Sequence, residues 1–127
     1  MSGNKILLIG DDHDLVLGLS HRMKVNGYVA ISAMDGVSAI AVALTEAPDL
    51  LILDLGMAPA GGFLFIDRLT ALIDFLEIPI IVLGPPSPSG TEQSVLDAGA
   101  VAFLEKPPDH HALMTAIRRA LRDDSVR

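Results

Sequence analysis

Five short, largely apolar runs alternate along the chain with longer segments of helical period. The runs are residues 5–9, 28–32, 50–53, 79–83 and 101–104. Continuous apolar runs of this length are typical of strands that are buried on both faces. Strands that alternate with helices form a parallel sheet with helices on both sides. The pattern therefore predicts an α/β fold, with a doubly wound, five-stranded parallel sheet.

The segments between the runs carry helix start and stop signals. The predicted helices are residues 14–26, 37–46, 63–76, 91–97 and 110–122. Gly27 stands at the usual end position of the first helix, and Pro48 follows the second. Asp109 is a suitable N-cap for the last helix. The length of 127 residues predicts a single domain over 1–127, with its core at about 5–122 and a short disordered tail.

Composition excludes several classes of function. Acidic side chains outnumber basic ones by 16 to 9, with a formal net charge of −7, so this domain is not expected to bind nucleic acid. No apolar run approaches the ~20 residues of a membrane span. Residues 1–5 lack the features of a secretory signal, and a cytoplasmic location without membrane contact is expected. The chain has no cysteine, which excludes thiolate metal sites.

Acidic side chains follow two of the predicted strands at the points where those strands end. Asp11 and Asp12 come after the first run, and Asp54 comes directly after the third. Ligands of doubly wound sheets bind beyond the carboxyl ends of the strands, so we expect these acids and Lys106 to converge there. An ionised carboxylate is rarely buried without a partner. An acidic pocket of this kind is suited to a divalent cation, which would let a phosphoryl group approach.

With this arrangement the chain resembles the receiver domain of two-component response regulators. The resemblance runs from about residue 5 to residue 121. It rests on the order and spacing of Asp11-Asp12, Asp35-Gly36, Asp54, Gly62, Gly99-Ala100 and Lys106-Pro107. It implies a flavodoxin-like (βα)5 fold with strand order 2-1-3-4-5. It also implies a phosphoacceptor domain rather than an enzyme, with at most self-catalysed phosphotransfer and dephosphorylation.

The resemblance assigns a role to each acid at the strand ends. Asp54 matches the phosphoacceptor, which takes a phosphoryl group from a sensor histidine kinase or a histidine phosphotransfer protein. Asp11 and Asp12 match the acidic pair that holds Mg²⁺ together with Asp54. The backbone carbonyl of Gly56 is implied as a further ligand. Oxygen ligands of this kind are those that Mg²⁺ prefers.

Two further roles follow from the match after the fifth run. Lys106 matches the family lysine that contacts the phosphoryl oxygens or the acceptor carboxylate. Pro107 matches the family proline that is preceded by a cis peptide bond. The face formed by helix 91–97, strand 101–104 and the last helix is implied as a contact surface for an output domain or for a second copy of the chain.

The chain departs from the family at the positions that normally switch. Gly84 and Pro85 stand where a Thr or Ser and a small residue are usual, and Phe103 occupies the aromatic position on the fifth strand. A lost hydrogen bond to a charged group would weaken coupling by about 1.5–3 kcal/mol. Allosteric couplings are themselves about 1–3 kcal/mol. The resemblance therefore predicts a phosphoacceptor with an altered or weakened readout.

Two alternatives remain open at this point. The first is an atypical receiver that binds partners independently of phosphorylation, which the rigid Gly84-Pro85-Pro86 segment favours. The second is a flavodoxin-like cofactor binder. Its first strand-to-helix loop should offer donors to phosphate, whereas the loop over 10–14 in this chain carries three acids.

Overall fold

The computed structural model describes residues 4–34, 36–54, 71, 77–85 and 91–122. The strands are β1 (Lys5–Ile9), β2 (Val29–Ala33), β3 (Leu50–Asp54), β4 (Ile80–Gly84) and β5 (Ala102–Glu105). The helices within the described residues are α1 (His13–Val25), α2 (Gly36–Glu46), α3 (Thr91–Asp97) and α4 (His110–Arg122). None of these helices is long and apolar enough to cross a bilayer.

All five strands form one parallel sheet in the order β2-β1-β3-β4-β5. The predicted fold class and strand order are therefore confirmed. β3 lies at the centre, with Leu53 beside Ile9 of β1 and beside Val82 of β4. Every residue of β3 and β4 is buried, as the continuous apolar runs predicted.

The core has two layers, one on each face of the sheet. Alternate residues of a strand point to opposite faces, so Leu7 and Ile9 enter one cluster while Ile6 and Leu8 enter the other. The first cluster is covered by α2 and α3, and the second by α1 and α4. Each fully buried side chain of this size contributes about 1.5–3 kcal/mol. The sheet is therefore a rigid support for the residues at its carboxyl edge.

Several element boundaries differ by one residue from the sequence-based prediction. β2 begins at Val29 because the Tyr28 amide donates to the Met23 carbonyl at 2.9 Å and so closes the end of α1. β4 begins at Ile80 rather than Pro79, which has no N–H to donate to a ladder. β5 likewise begins at Ala102 rather than at residue 101. The predicted helix 63–76 lies outside the described residues apart from Ala71, which is helical.

Candidate functional site

Asp54 is the last residue of β3 and lies at the carboxyl edge of the sheet. It is the one buried charged residue among those that the structure describes, with 4% of its surface exposed. Its backbone pairs with Leu83 of β4, and the end of β1 lies on its other side. A buried carboxylate at the centre of the sheet requires compensation by a partner.

Lys106 provides that compensation. Its Nζ donates to Oδ1 of Asp54 at 2.7 Å. The Asp54 side chain is 5% exposed and the Lys106 side chain is 22% exposed. A charge-assisted hydrogen bond of this length is stronger than one between neutral groups. The two residues are 52 positions apart in sequence, and the parallel sheet brings them together.

The backbone around Lys106 is fixed on both sides. Its amide donates to the carbonyl of Gly84 at 2.7 Å, which ties it to the end of β4. The peptide bond between Lys106 and Pro107 is cis. Pro108 is buried, and its carbonyl accepts from Nη1 of Arg22 on α1 at 3.4 Å. The ammonium therefore starts from a fixed backbone and reaches back to Asp54.

The helix that follows this segment is held by its own N-cap. Oδ2 of Asp109 accepts from the amide of Ala112 at 2.9 Å, and its carbonyl accepts from the amide of Leu113. An aspartate at this position satisfies amides that have no partner inside the helix. The predicted N-cap role of Asp109 is confirmed.

The acidic pair follows β1 at the same edge of the sheet. Asp11 and Asp12 are both exposed. Oδ1 of Asp12 accepts from the amide of Leu15 at 3.1 Å, so this side chain caps α1. Gly10, just before the pair, donates its amide to the carbonyl of Ala33 at 3.0 Å. The two exposed acids thus follow directly after Gly10, where an added Cβ would lie against the side chain of Asp54.

The donor set at this edge fits a hard cation in its chemistry. Carboxylate oxygens are the ligands that Mg²⁺ prefers. Within the described residues, however, no three acidic, histidine or cysteine side chains are grouped closely enough to hold a metal ion. Asp54 is paired with Lys106 instead, while Asp11 and Asp12 face solvent. Gly56 lies outside the described residues.

Gly84 and Phe103, the two positions that the family resemblance assigns to the switch, have different surroundings. Gly84 ends β4, is buried and gives its carbonyl to Lys106. It has no hydroxyl to offer to the edge of the sheet. Phe103 is partly buried on β5 and packs against the cluster on the α2 and α3 face. Pro85, which follows Gly84, is exposed.

Two residues beside the site were not predicted from the sequence. Arg22 was missed because its contact with Pro108 spans 86 positions and involves a backbone carbonyl. The proximity of Gly10 to Asp54, where a Cβ on Gly10 would lie 2.9 Å from the Asp54 Cβ, was missed because it depends on how β1 and β3 lie side by side. The available signal was a glycine at the end of an apolar run, immediately before the acidic pair.

Comparison with known proteins identifies relatives over almost the whole chain. The family model of the response regulator receiver domain matches residues 6–118. Transcriptional regulatory protein KdpE of Mycobacterium tuberculosis is 34% identical over 95% of this chain and 52% of its own length. Transcriptional regulatory protein CpxR of Escherichia coli is 35% identical over 94% of this chain and 50% of its own length. The chain thus spans about half the length of the curated relatives it matches.

Solved structures show the same architecture. A two-component response regulator from Clostridium difficile superposes with a TM-score of 0.83 at 21% identity, covering 94% of this chain and 96% of that one. The chemotaxis protein CheY4 of Vibrio cholerae superposes with a TM-score of 0.80 at 25% identity, covering 94% of this chain and 100% of that one. With its sheet order and the family match over residues 6–118, the chain belongs to the response regulator receiver domain family.

Proposed function

We propose that the chain is a receiver that accepts a phosphoryl group on Asp54 from a sensor histidine kinase or a histidine phosphotransfer protein. One observation carries this proposal. A buried carboxylate at the end of the central strand lies 2.7 Å from the ammonium of Lys106. A nucleophilic carboxylate must be held in place, and the negative charge that develops during phosphoryl transfer must be offset by a positive group. This pair meets both requirements.

The proposed reaction transfers a phosphoryl group between two protein side chains. An oxygen of Asp54 forms a bond to phosphorus while the bond from phosphorus to the ring nitrogen of the donor histidine breaks, which leaves an acyl phosphate and a neutral imidazole after protonation. The ammonium of Lys106 moves from the carboxylate to the phosphoryl oxygens. Because the carboxylate is anchored at the end of the sheet, catalysis consists mainly of positioning and electrostatics.

The acidic edge requires a cation before a phosphoryl group can approach. Asp11, Asp12, Asp54 and the carbonyl of Gly56 would hold Mg²⁺. When bound, the ion would offset negative charge on the incoming group. The same residues would support self-catalysed transfer from small phosphodonors and later hydrolysis of the acyl phosphate.

Phosphorylation by a small donor tests the proposal directly. After incubation with acetyl phosphate and Mg²⁺, intact-mass spectrometry should show one added phosphoryl group, and Asp54→Ala should abolish the gain. Asp14→Asn is a suitable control, because Asp14 is an exposed acid in the first turn of α1 and is assigned no role. The proposal is refuted if the mass does not increase with acetyl phosphate, with phosphoramidate or with a histidine kinase.

A second candidate is a module that binds its partners without phosphorylation. The observation that favours it is Gly84, which has no hydroxyl at the end of β4, followed by the rigid Pro85. The partner surface would be the face of α3, β5 and α4, and the partner an output domain or a second copy. Two-dimensional NMR with and without beryllofluoride separates the candidates. Shifts that spread over this face count against the second candidate, and unchanged spectra count for it.

A further inference from the structure

β2 forms an open edge of the sheet. Within the described residues, no strand lies on the side of β2 that faces away from β1. Edge strands of soluble proteins usually carry charged residues or proline, which prevent a further strand from pairing with them. The sequence of β2, Val-Ala-Ile-Ser-Ala, contains neither. At the opposite edge, β5 is one residue shorter and ends in the exposed Glu105.

The backbone of β2 alternates between the sheet and the open side. The amide of Val29 donates to the carbonyl of Asn4 at 2.9 Å, and the carbonyl of Ala33 accepts from the amide of Gly10 at 3.0 Å. Residues 29, 31 and 33 therefore direct their backbone groups toward β1, because this direction alternates along a strand. The N–H and C=O groups of Ala30 and Ser32 point to the open side, where they can pair with a further strand.

Exposed large apolar side chains are concentrated around this edge. Seven such side chains occur among the described residues, and six of them belong to β2, to α1 or α2 beside it, or to the residue that follows it. These six are Leu17, Val25, Val29, Met34, Ile40 and Leu44. The seventh, Val101, lies at the opposite edge, directly before β5. Concentrated apolar surface marks an interaction site, whereas single exposed residues do not.

The helices beside β2 lie where they could pack against a second copy. α1 and α2 each cover β1 and β2, on opposite faces of the sheet. Strands in a sheet are about 4.8 Å apart. If a second β2 pairs with the first, a helix that lies between β1 and β2 is two strand spacings, or about 10 Å, from its counterpart in the other copy. Packed helices have this spacing.

The charges of α1 favour antiparallel pairing of two copies. The first turn of α1 carries Asp14, close in sequence to the exposed Asp11 and Asp12, and the last turn carries Arg22 and Lys24. Antiparallel pairing places the acidic end of each α1 beside the basic end of the other. Parallel pairing would place both acidic edges at the same end of an assembly whose chains each have a formal net charge of −7, and like charges repel.

We propose that the chain forms a symmetric dimer through β2. The two β2 strands run antiparallel about a twofold axis at Ile31, so that Ala30 of each copy lies opposite Ser32 of the other. The two sheets then form one continuous sheet, with the α1 helices packed on one face and the α2 helices on the other. The apolar side chains around the edge lose contact with water, which stabilises the dimer. This surface lies at the opposite edge from the face of α3, β5 and α4, and it does not include Asp54.

Sedimentation velocity tests the dimer. At concentrations up to about 100 µM the chain should show a reversible dimer, and a chain that stays monomeric would overturn the inference. Val29→Lys places a charge at the paired strands of both copies and should raise the dissociation constant at least about 10-fold. Val101→Lys is the matched control, because the two valines are 42% and 51% exposed, and it should dimerise as the wild-type chain does. A larger effect in Val101→Lys would assign the dimer to the other edge and refute the inference.

Single cysteines test the antiparallel register. The chain has no cysteine, so an introduced one can form a disulfide only with its counterpart in another copy. Ile31→Cys lies on the proposed axis, where facing Cα atoms are about 4.5 Å apart, and should give a disulfide-linked dimer under mild oxidation. Val29→Cys should not, because its two copies are offset by four residues, or roughly 13 Å along the strands. Equal cross-linking of the two variants, or none in Ile31→Cys, would contradict the proposed register.

Ser32→Pro separates pairing at the edge from folding of the chain. The amide of residue 32 points to the open side, so proline removes a donor there and leaves the ladder with β1 intact. This variant should keep the circular dichroism spectrum of the wild-type chain and lose the dimer; a folded variant that still dimerises refutes the inference. If it does not fold, Val29→Lys and the cysteine variants decide. Asp54→Ala should dimerise as the wild-type chain does, so a failure of phosphorylation and a failure of dimerisation are separate results.

Discussion

Removing the ammonium of Lys106 should destabilise the chain, because it leaves the carboxylate of Asp54 buried without its counter-charge. Lys106→Met keeps most of the side-chain volume and removes the charge. At 2.7 Å and an effective dielectric constant of about 20, the attraction between the two groups is about 6 kcal/mol. Desolvation of both groups offsets most of this attraction in the intact pair.

The variant loses the attraction and retains the desolvation cost of Asp54. Breaking a fully buried pair costs about 3–5 kcal/mol. Lys106 is 22% exposed, so water can partly replace its ammonium at the rim of the sheet. We therefore expect a loss of about 2–4 kcal/mol, which lies below the range for fully buried pairs. At about 3 °C per kcal/mol for a chain of this size, the midpoint of thermal unfolding falls by roughly 6–12 °C.

Urea unfolding measures the loss of stability in Lys106→Met, and a more exposed ion pair provides the control. Lys5 pairs with Glu46 at 3.1 Å, but these side chains are 37% and 43% exposed. Lys5→Met should therefore cost under about 1 kcal/mol. Adding Asp54→Asn to Lys106→Met should recover most of the loss, because the buried charge is then gone. Equal losses in the two lysine variants, or no recovery with Asp54→Asn, would refute the account of a buried charge.

Mg²⁺ binding provides an independent test of the Lys106→Met variant. In the wild-type chain the ammonium of Lys106 occupies Oδ1 of Asp54 and repels a cation. If Asp54 is a ligand, Lys106→Met should bind Mg²⁺ more tightly and gain more stability from it than the wild-type chain does. A smaller gain would argue against a cation at Asp54.

Substitutions at three other positions test further parts of this account. Asp12→Asn should keep the cap of α1 while weakening Mg²⁺ binding, which Mg²⁺ titration measures. Asp12→Ala should in addition lower the free energy of unfolding by about 1 kcal/mol, because the cap is lost, and urea unfolding measures this effect. Ala47→Gly should raise the free energy of unfolding by about 0.5–1 kcal/mol, because Ala47 has a φ of 50° and glycine adopts this left-handed conformation at lower cost; a lower urea midpoint would contradict this. Gly84→Thr should strengthen the coupling of phosphorylation to α3, β5 and α4 by about 1.5–3 kcal/mol; NMR shifts on that face that do not grow would count against it.

The fold was predictable because its signals are local and strong. Strands β3 and β4 are buried on both faces, and this condition produces the continuous apolar runs that are visible in the sequence. The ends of the elements were less predictable. Whether Tyr28 belongs to α1 or to β2 depends on one hydrogen bond to Met23, and no sequence pattern specifies that bond.

The nearness of Lys106 to Asp54 was also predictable, for a topological reason. Asp54 is the last residue of β3 and Lys106 directly follows β5, and the strands of a parallel sheet end at the same edge. Side-chain contacts within that edge were not predictable in the same way. The cap that Asp12 gives to Leu15 and the link from Arg22 to Pro108 depend on rotamers and on distances across the fold, which residue spacing does not determine.

Lys106 has a double attachment, which links the side chain of Asp54 to the end of β4. Its ammonium holds Asp54, and its amide holds the carbonyl of Gly84, each at 2.7 Å. Phosphoryl transfer would change the first contact, because the ammonium then faces phosphoryl oxygens rather than a carboxylate. With no hydroxyl at residue 84, we expect that change to reach the end of β4 through this backbone contact. If Asp54 is phosphorylated, we therefore expect a weakened readout, because this path acts through backbone rather than through a side chain drawn to the phosphoryl group.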